Sequence, residues 1–379
     1  MASTFISSID DRLQRIGRAR QQVLHQSTVL DPVLIEPWIL RSWQRCLALG
    51  LHPARRVNFD AVSKVEMRHT EEANRHLVQA ARPVLEHLGR AMLDTGYFAI
   101  LTNQDGIVID AHGPIDRGDR RADLITRVGV DLSEAAVGTT AIGAALSELA
   151  PVWLHRGEHF FNDTSVYSCA GAPLFGPDGM CVGMLDLTGV QALERPELRH
   201  LVVHAARQIE NALTLRQAHA VLLRLNWPGR ALGEESDGLI GLNADGGIVC
   251  SNTAARQLLP ELNQRRASPW HSSELFALPF ALLFDAANQD AQAKEIPLWS
   301  GLRLQGVASN RRRDRSPEVR TPSPWQPLSA QNSPLKDIQA ALIRTAVQEA
   351  MGNVTQAARK LGISRATVYR TLRPQVAKA

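Results

Sequence analysis

Ten residues near the C-terminus, SRATVYRTLR, bring together three arginines, two threonines, a serine and a tyrosine. Read as a helix, Val368 and Leu372 take the inward positions and leave Arg365, Thr367, Tyr369 and Arg370 outward. Those side chains suit a helix that enters the major groove of double-stranded DNA. Arg365, near the helix start, is placed to bond the O6/N7 edge of a guanine, a contact worth roughly 1–3 kcal/mol of discrimination. Arg370 and Arg373 suit phosphates, as do Thr355 and the backbone at a capped helix start. Asn353, Ser364, Thr367 and Tyr369 complete the expected DNA-contacting set.

Other chemistry is faint. His155/His159 and His200/His204 have the i, i+4 spacing of two metal ligands on one helix face. Neither pair is an HExxH, and no third ligand is apparent, so no metal site is expected. No nucleophile motif, kinase set or carboxylate pair stands out, so no catalytic residue and no cofactor is assigned.

The C-terminal side chains need a scaffold, and residues 334–379 supply one. Ile338, Leu342, Ala346, Val347 and Ala350 keep one helical face. Gly352 ends that helix, and Asn353 with Gln356 three residues on forms a capping box for a second. Ala357, Ala358 and Leu361 are its buried positions. Gly362 and Ile363 make a tight turn, and Ser364 caps the third helix. Short helices joined this way make a helix-turn-helix, whose last helix reads bases; the plainer alternative is a three-helix bundle with a basic face. The pattern Gly352-Asn353, Ala357-Ala358, Leu361-Gly362-Ile363 and Arg365-Ala366-Thr367 resembles the Fis-type DNA-binding domain across the whole tail.

Charge agrees with that placement. From Gly301 onward there are 14 Lys/Arg against 4 Asp/Glu, whereas the first 300 residues hold 28 against 34. A basic end on an acidic body points to a polyanion partner at one end only. The four cysteines are too scattered for a disulfide framework or a CxxC metal site, which suits a reducing cytoplasm. The N-terminus reads as no signal peptide. The longest apolar run, around Phe276 to Phe284, falls far short of the roughly 18 residues that span a membrane. A cytoplasmic protein with no membrane partner is expected.

Residues 1–85 read as helical. Ile9, Leu13 and Ile16 share a face, as do Ile35, Ile39, Trp43 and Leu47, and Trp38 and Trp43 read as core. Residues 86–225 change character. A helix is expected from Glu86 to Asp94, then two strands about the turn Asn103-Gln104-Asp105-Gly106. A helix through Glu134 to Leu149, the strand PVWLH, a hairpin turning at Pro177-Asp178-Gly179 and a long helix from Glu194 follow. This is an α+β block on an antiparallel sheet. The long helix carries a stripe of Leu198, Leu201, Val202, Ala205, Ile209, Ala212 and Leu213, fit to lie on its own sheet or to pair with a second copy. Phe98, Trp153, His159, Phe160, Tyr167 and Cys169 are the candidate lining of a small-molecule pocket, being aromatic or polar groups near strands and loops.

Two stretches carry a further resemblance. Ser42-Trp43-Gln44-Arg45-Cys46 followed by Gly50-Leu51-His52-Pro53 is similar to the N-terminal region of acetoin-catabolism-type bacterial activators. Leu132-Ser133-Glu134, Gly138-Thr139-Thr140-Ala141-Ile142-Gly143, Tyr167-Ser168-Cys169 and Leu185-Asp186-Leu187-Thr188-Gly189 resemble the GAF sensor domain of that family, which commonly has Asn at the Thr140 position and an aromatic at the Leu132 position. Residues 230–308 open with two strands about Asn243-Ala244-Asp245-Gly246. With Asn252 and Ala254-Ala255 they resemble a degenerate PAS domain. Residues 309–333, rich in Pro, Ser and Arg, are expected to be a disordered linker.

Activators with this arrangement usually carry a central AAA+ ATPase, whose phosphate loop ends Gly-Lys-(Ser/Thr). No Gly-Lys dipeptide occurs in the chain, and a linker of about 25 residues is below the roughly 50 that a domain needs. The resemblance therefore implies a multidomain α+β regulator of transcription, dimeric, binding DNA and a small effector, controlling a catabolic operon without ATP hydrolysis; RNA polymerase is a further partner it allows. Two alternatives stand beside it. One is a thiol enzyme built on the GAF domain through Cys169 and Cys181, such as a methionine sulfoxide reductase. The other is a non-DNA-binding adaptor that forms mixed dimers with full-length activators.

Overall fold

The computed structural model describes residues 12–310, apart from 26–33, 58, 60–61, 265 and 290–291. All of them fall in one compact unit. Ile9, the linker beyond Asn310 and the whole helix-turn-helix stretch, with every DNA-contacting candidate from Asn353 to Arg373, lie outside the described residues.

Helix α1 (residues 12–20) runs on into a π-helical turn at Gln21–His25. Helix α2 (Pro37–Ala48) has proline in its first turn, where the missing N–H costs no helical bond. Ile35, Ile39 and Trp43 are buried, but Leu47 is exposed because Cys46 takes the last inward position. Leu13 is likewise exposed, while Ile16 is buried. Helix α3 (Lys64–Ala73) opens on a capping box between Ser63 and Glu66.

Helix α4 (Arg75–Ala91) starts well before the expected Glu86 and contains Pro83. The proline nitrogen has no proton for the carbonyl of Gln79, four residues earlier. Arg216, from a later helix, donates its Nη2 to that carbonyl at 2.9 Å. The interruption is thereby satisfied from outside.

The first sheet joins β1 (Tyr97–Asn103), β2 (Val108–His112), β3 (Val152–His155), β4 (Tyr167–Phe175) and β5 (Cys181–Val190) in the antiparallel order β2-β1-β5-β4-β3. The β1–β2 turn closes on the Asn103 side chain, which accepts the backbone N–H groups of Asp105 and Ile107. Gly106 there has φ +83°, the left-handed region that suits glycine. Strand alternation sends Tyr97, Ala99 and Leu101 to one face and Phe98 and Ile100 to the other. The first face is covered by α4 and α8 (Leu198–Arg216) through Leu85, Leu88, Val202 and Ile209. In this chain, then, the long helix lies on its own sheet.

The second face is covered by α5 (Arg120–Ile125), α6 (Glu134–Val137) and α7 (Ala141–Glu148). The single helix expected over Glu134–Leu149 is divided at Gly138, whose φ is +68°. A Cβ at Gly138 would lie 3.0 Å from both Phe160 and Phe161, so only glycine turns the chain here.

The second sheet joins β6 (Val221–Asn226), β7 (Gly238–Leu242), β8 (Ile248–Ser251), β9 (Lys294–Pro297) and β10 (Arg303–Asn310) in the order β8-β7-β6-β10-β9. β6 is its central strand, so Val221–Asn226 goes with this half and not with the block ending at 225. Ser309 and Asn310, expected to open the linker, end β10. Helices α9 (Thr253–Leu258), α10 (Ser272–Leu275) and α11 (Ala281–Asn288) pack on the sheet around the fully buried Phe276. No helix among the described residues is long and apolar enough to cross a membrane.

Candidate functional site

Between the first sheet and α5–α7 lies a cavity of about 30 Å³. Strand parity sets its walls. Ile100 on β1, Tyr167 and Cys169 on β4, and Asp186 and Thr188 on β5 project to the same side. Val137 of α6, Ala141 and Ile142 of α7, and Thr140 between them close it from above. Thr140 caps α7 by accepting the N–H of Gly143 at 3.2 Å. His159 enters from the loop after β3. An open outer pocket of about 700 Å³ shares Phe59, Thr164 and Tyr167 with the cavity and also touches Arg56, Arg120 and Arg121.

The lining is apolar except for one polar corner. His159 is fully buried, and its Nδ1 stands 2.9 Å from the Arg156 carbonyl, which can only accept. Nδ1 therefore carries the proton, and Nε2 faces the Cys169 thiol at 3.5 Å as acceptor. Burial pushes the His159 pKa down to about 4, so the ring is neutral at ordinary pH. Cys169 Sγ is also 3.5 Å from Thr188 Oγ1, and Thr188 donates to Asp186 Oδ2. Burial drives the Cys169 thiol well above its ordinary pKa.

Asp186 is the residue out of balance. It is 1% exposed, and its second oxygen, Oδ1, has no hydrogen-bond partner. Desolvation pushes its pKa up to about 7, against the lowering effects of the Thr188 hydroxyl and the Leu187 backbone N–H. A buried acceptor left unmade beside a cavity is costly unless something visits it. In the sequence Asp186 stands out only as an aspartate centred in the apolar strand CVGMLDLTGV, a signal beyond the family motif that contains it.

Of the six residues read as pocket lining, His159, Tyr167 and Cys169 do face the cavity. Phe98 shares the surrounding core without lining it. Trp153 points to the opposite face of the sheet, because Val152 and Leu154 take the cavity side, and it borders an outer pocket with Arg12 and Arg199. Phe160 packs with Ile39, Trp43 and Cys46 in a separate cluster under α2.

The thiol-enzyme alternative gains little. A reactive cysteine needs a lowered pKa, and burial raises those of both Cys169 and Cys181. Cys181 pairs with Phe175, six residues along β4 from Cys169, which is about 20 Å of strand. His155 and His159 occupy a strand end and a loop, not one helix face.

Comparison with known proteins places this architecture. Residues 14–211 match the family model described as MimR, N-terminal domain, and residues 334–373 match Bacterial regulatory protein, Fis family. The chain is 27% identical over 289 residues to the acetoin catabolism regulatory protein of Cupriavidus necator, covering 74% of this chain and 42% of that one. It is 28% identical over 249 residues to the propane 2-monooxygenase operon transcriptional activator MimR of Mycolicibacterium goodii, covering 65% and 41%. The chain thus spans about two-fifths of the length of these relatives. Among solved structures, the E. coli DhaR(N)–DhaL complex aligns with a TM-score of 0.44 at 15% identity, over 72% of this chain and 99% of that one. With half of its length matched by the first of these models, the chain belongs to the MimR N-terminal-domain family.

Proposed function

We propose that the protein is a ligand-responsive, DNA-binding transcriptional regulator and not an enzyme. Residues 334–379 bind duplex DNA, with Arg365 on a base edge and Arg370 and Arg373 on phosphates. The first sheet and its helices form a GAF-like sensor, and the second sheet a PAS-like one. Two copies of the chain present two recognition helices, because one reads only a few base pairs. The output is promoter occupancy without ATP hydrolysis, at an operon for catabolism of a small compound, as the names of the two relatives suggest.

The observation that carries the sensor reading is Asp186, a residue of the cavity wall with one buried, unpartnered oxygen. Among the described residues no cationic side chain lines that cavity, so an anionic ligand finds no countercharge there. A small neutral compound with one hydroxyl or carbonyl fits. The hydroxyl would donate to the ionised carboxylate, and the carbonyl would accept from the protonated one, both forms being populated near pH 7.

The test has two parts. DNA fragments from the source genome are selected on the full chain, and their binding is measured at two salt concentrations with and without a panel of short alcohols and ketones. Selective, salt-sensitive binding that Arg365→Ala removes, and that one compound shifts in wild type but not in Asp186→Asn, is the expected result. Selection that returns no preferred sequence would sink the reading.

A further inference from the structure

The first two helices spend their polar side chains on the elements that wall the cavity. From α2, Arg45 donates Nε to Glu134 Oε1 at 2.7 Å and Nη2 to Oε2 at 2.9 Å, a bidentate grip on the first residue of α6. Its Nη1 reaches Glu148, the last residue of α7, at 3.1 Å. Ser42, fully buried, donates to Glu134 Oε2 at 2.7 Å. That leaves Thr139 as donor to Ser42 Oγ at 2.7 Å, and Cys46 as donor to Thr139 at 3.6 Å. Trp43 donates Nε1 to the Glu158 carbonyl at 2.9 Å. From α1, Arg20 donates to the carbonyls of Gly157, His159 and Phe160 at 2.5–3.0 Å. So α1 and α2 bind both edges of the cavity's cover: α6–α7 and the loop that carries His159.

The cavity itself is too small for its proposed guest. About 30 Å³ holds one or two waters. An organic molecule of four or more heavy atoms needs a wall to move. The sheet walls cannot give, because β4 and β5 are paired on both sides. Off the sheet, the wall is made by Ile125 of α5, by loop residues and by α6–α7; the part held from α2 is α6–α7, helices of four and eight residues joined through Gly138. Every hydrogen bond just described from Ser42, Arg45 and Cys46 ends on that wall.

The geometry points to a strap: helices α1 and α2 dock on the cover, and their docking and the filling of the cavity oppose one another. This rests on the cavity being an effector site, and it assigns that site its means of transmission. A filled cavity pushes α6–α7 outward and loosens α2; a loosened α2 lets the cavity open. The two effects are equal in free energy, as linked equilibria require. Ser42, Arg45 and Cys46 are positioning residues in this scheme, since none of them touches the cavity.

Two measurements on the full chain test it without any ligand. Cys169 lines the cavity, whereas Cys250 is buried in the second sheet and serves as an internal control. The rate at which methyl methanethiosulfonate labels each thiol is read by peptide mass spectrometry in wild type, Arg45→Met and the gentler Ser42→Ala. Labelling of Cys169 should rise about tenfold relative to Cys250. An unchanged ratio, or an equal rise at both thiols, overturns the strap. Conversely, Val137→Phe or the smaller Val137→Ile fills the cavity from α6. Hydrogen exchange over Ile39–Ala48 should quicken about fivefold, with α9 unaffected. A flat result there also overturns it. An empty ligand screen would defeat the effector reading and leave both of these measurements standing.

Discussion

Two aspartates, one in each sheet region, are equally buried and serve opposite ends. Asp237, beside β7, is 0% exposed, and both of its oxygens are used: Oδ1 accepts from Asn226 at 3.1 Å and Oδ2 from the Gly233 N–H at 2.6 Å. Its neighbour Asn252 is saturated too. Asn252 Oδ1 accepts from the Leu239 and Ala255 N–H groups, while Nδ2 donates to the Asp237 carbonyl and to Asn211. Asp186 in the first sheet lines a cavity, with one oxygen filled and the other without a partner. A closed polar network fixes a fold, and an open one costs stability until a ligand completes it. The contrast is confined to the polar groups: a Cβ at Gly306 in the second sheet would strike Ile296 at 2.4 Å, and one at Gly171 in the first would strike Met184 at 2.6 Å, so both cores are filled to the backbone.

The strongest way to break the contrast is Asn252→Ala. It removes the cap of α9 and strands buried groups on β7, each worth about 1–3 kcal/mol. We expect a loss of about 4 kcal/mol, read as the urea midpoint, with no dependence on pH between 5 and 8. A loss under about 1 kcal/mol would mean that the second network is no more structural than the first.

Asp186→Asn should behave in the reverse sense. The folded pKa of Asp186, about 7, lies above its unfolded value. Its contribution to stability is therefore complete below about pH 4 and is lost as pH rises through 7. Full ionisation costs about 4 kcal/mol at 1.36 kcal/mol per pKa unit. An asparagine amide leaves a partly unpartnered group of its own, so the net gain at pH 8 should be roughly 2 kcal/mol, shrinking toward pH 5. His155 and His159, whose pKa values burial holds near 4, titrate with the opposite sign, but they are common to both proteins and cancel in the difference. A variant less stable than wild type at pH 8 would make Asp186 a structural residue like Asp237.

Much of the frame behind this contrast could be read from the chain. The turns at Asn103 and Asn243 announce themselves through the same Asn-x-Asp-Gly pattern, and in both the asparagine side chain closes the loop. The antiparallel character of the first block and the hairpin at Pro177-Asp178-Gly179 follow from equally local signals. β6 escaped because it opens on three consecutive apolar residues, Val221 to Leu223, which blur the alternation of Leu223 and Leu225 with Arg224 and Asn226. Phe160 was misplaced because it sits in the loop after β3, where no periodicity sets its direction, and Trp153 for a related reason. A residue's side of a sheet depends on parity within the strand, and composition near a strand end does not reveal that parity. Asp186 was hidden by burial itself: an aspartate satisfied by its neighbours and one left open look alike in sequence.

The smallest effect concerns the joint between the two regions. Asn211 on α8 donates Nδ2 to the Glu235 carbonyl at 3.0 Å and accepts from Asn252 Nδ2 at 2.7 Å. Arg256, from α9, donates to the Gly176 carbonyl at the end of β4 at 3.3 Å. The helix that closes the first sheet thus also completes the network of the second. Asn211→Ala removes two hydrogen bonds, an exposed one to Glu235 and the one that joins the closed network, and should cost about 1 kcal/mol. Because Asn252 keeps its three remaining bonds, the loss should appear as weaker coupling and not as collapse of β7. In a double-mutant cycle, Asn211→Ala in the Asn252→Ala background should cost less than in wild type, since the shared bond is already gone. Equal costs in both backgrounds would show that the two regions are stabilised independently and that the contrast between their aspartates is confined to each region alone.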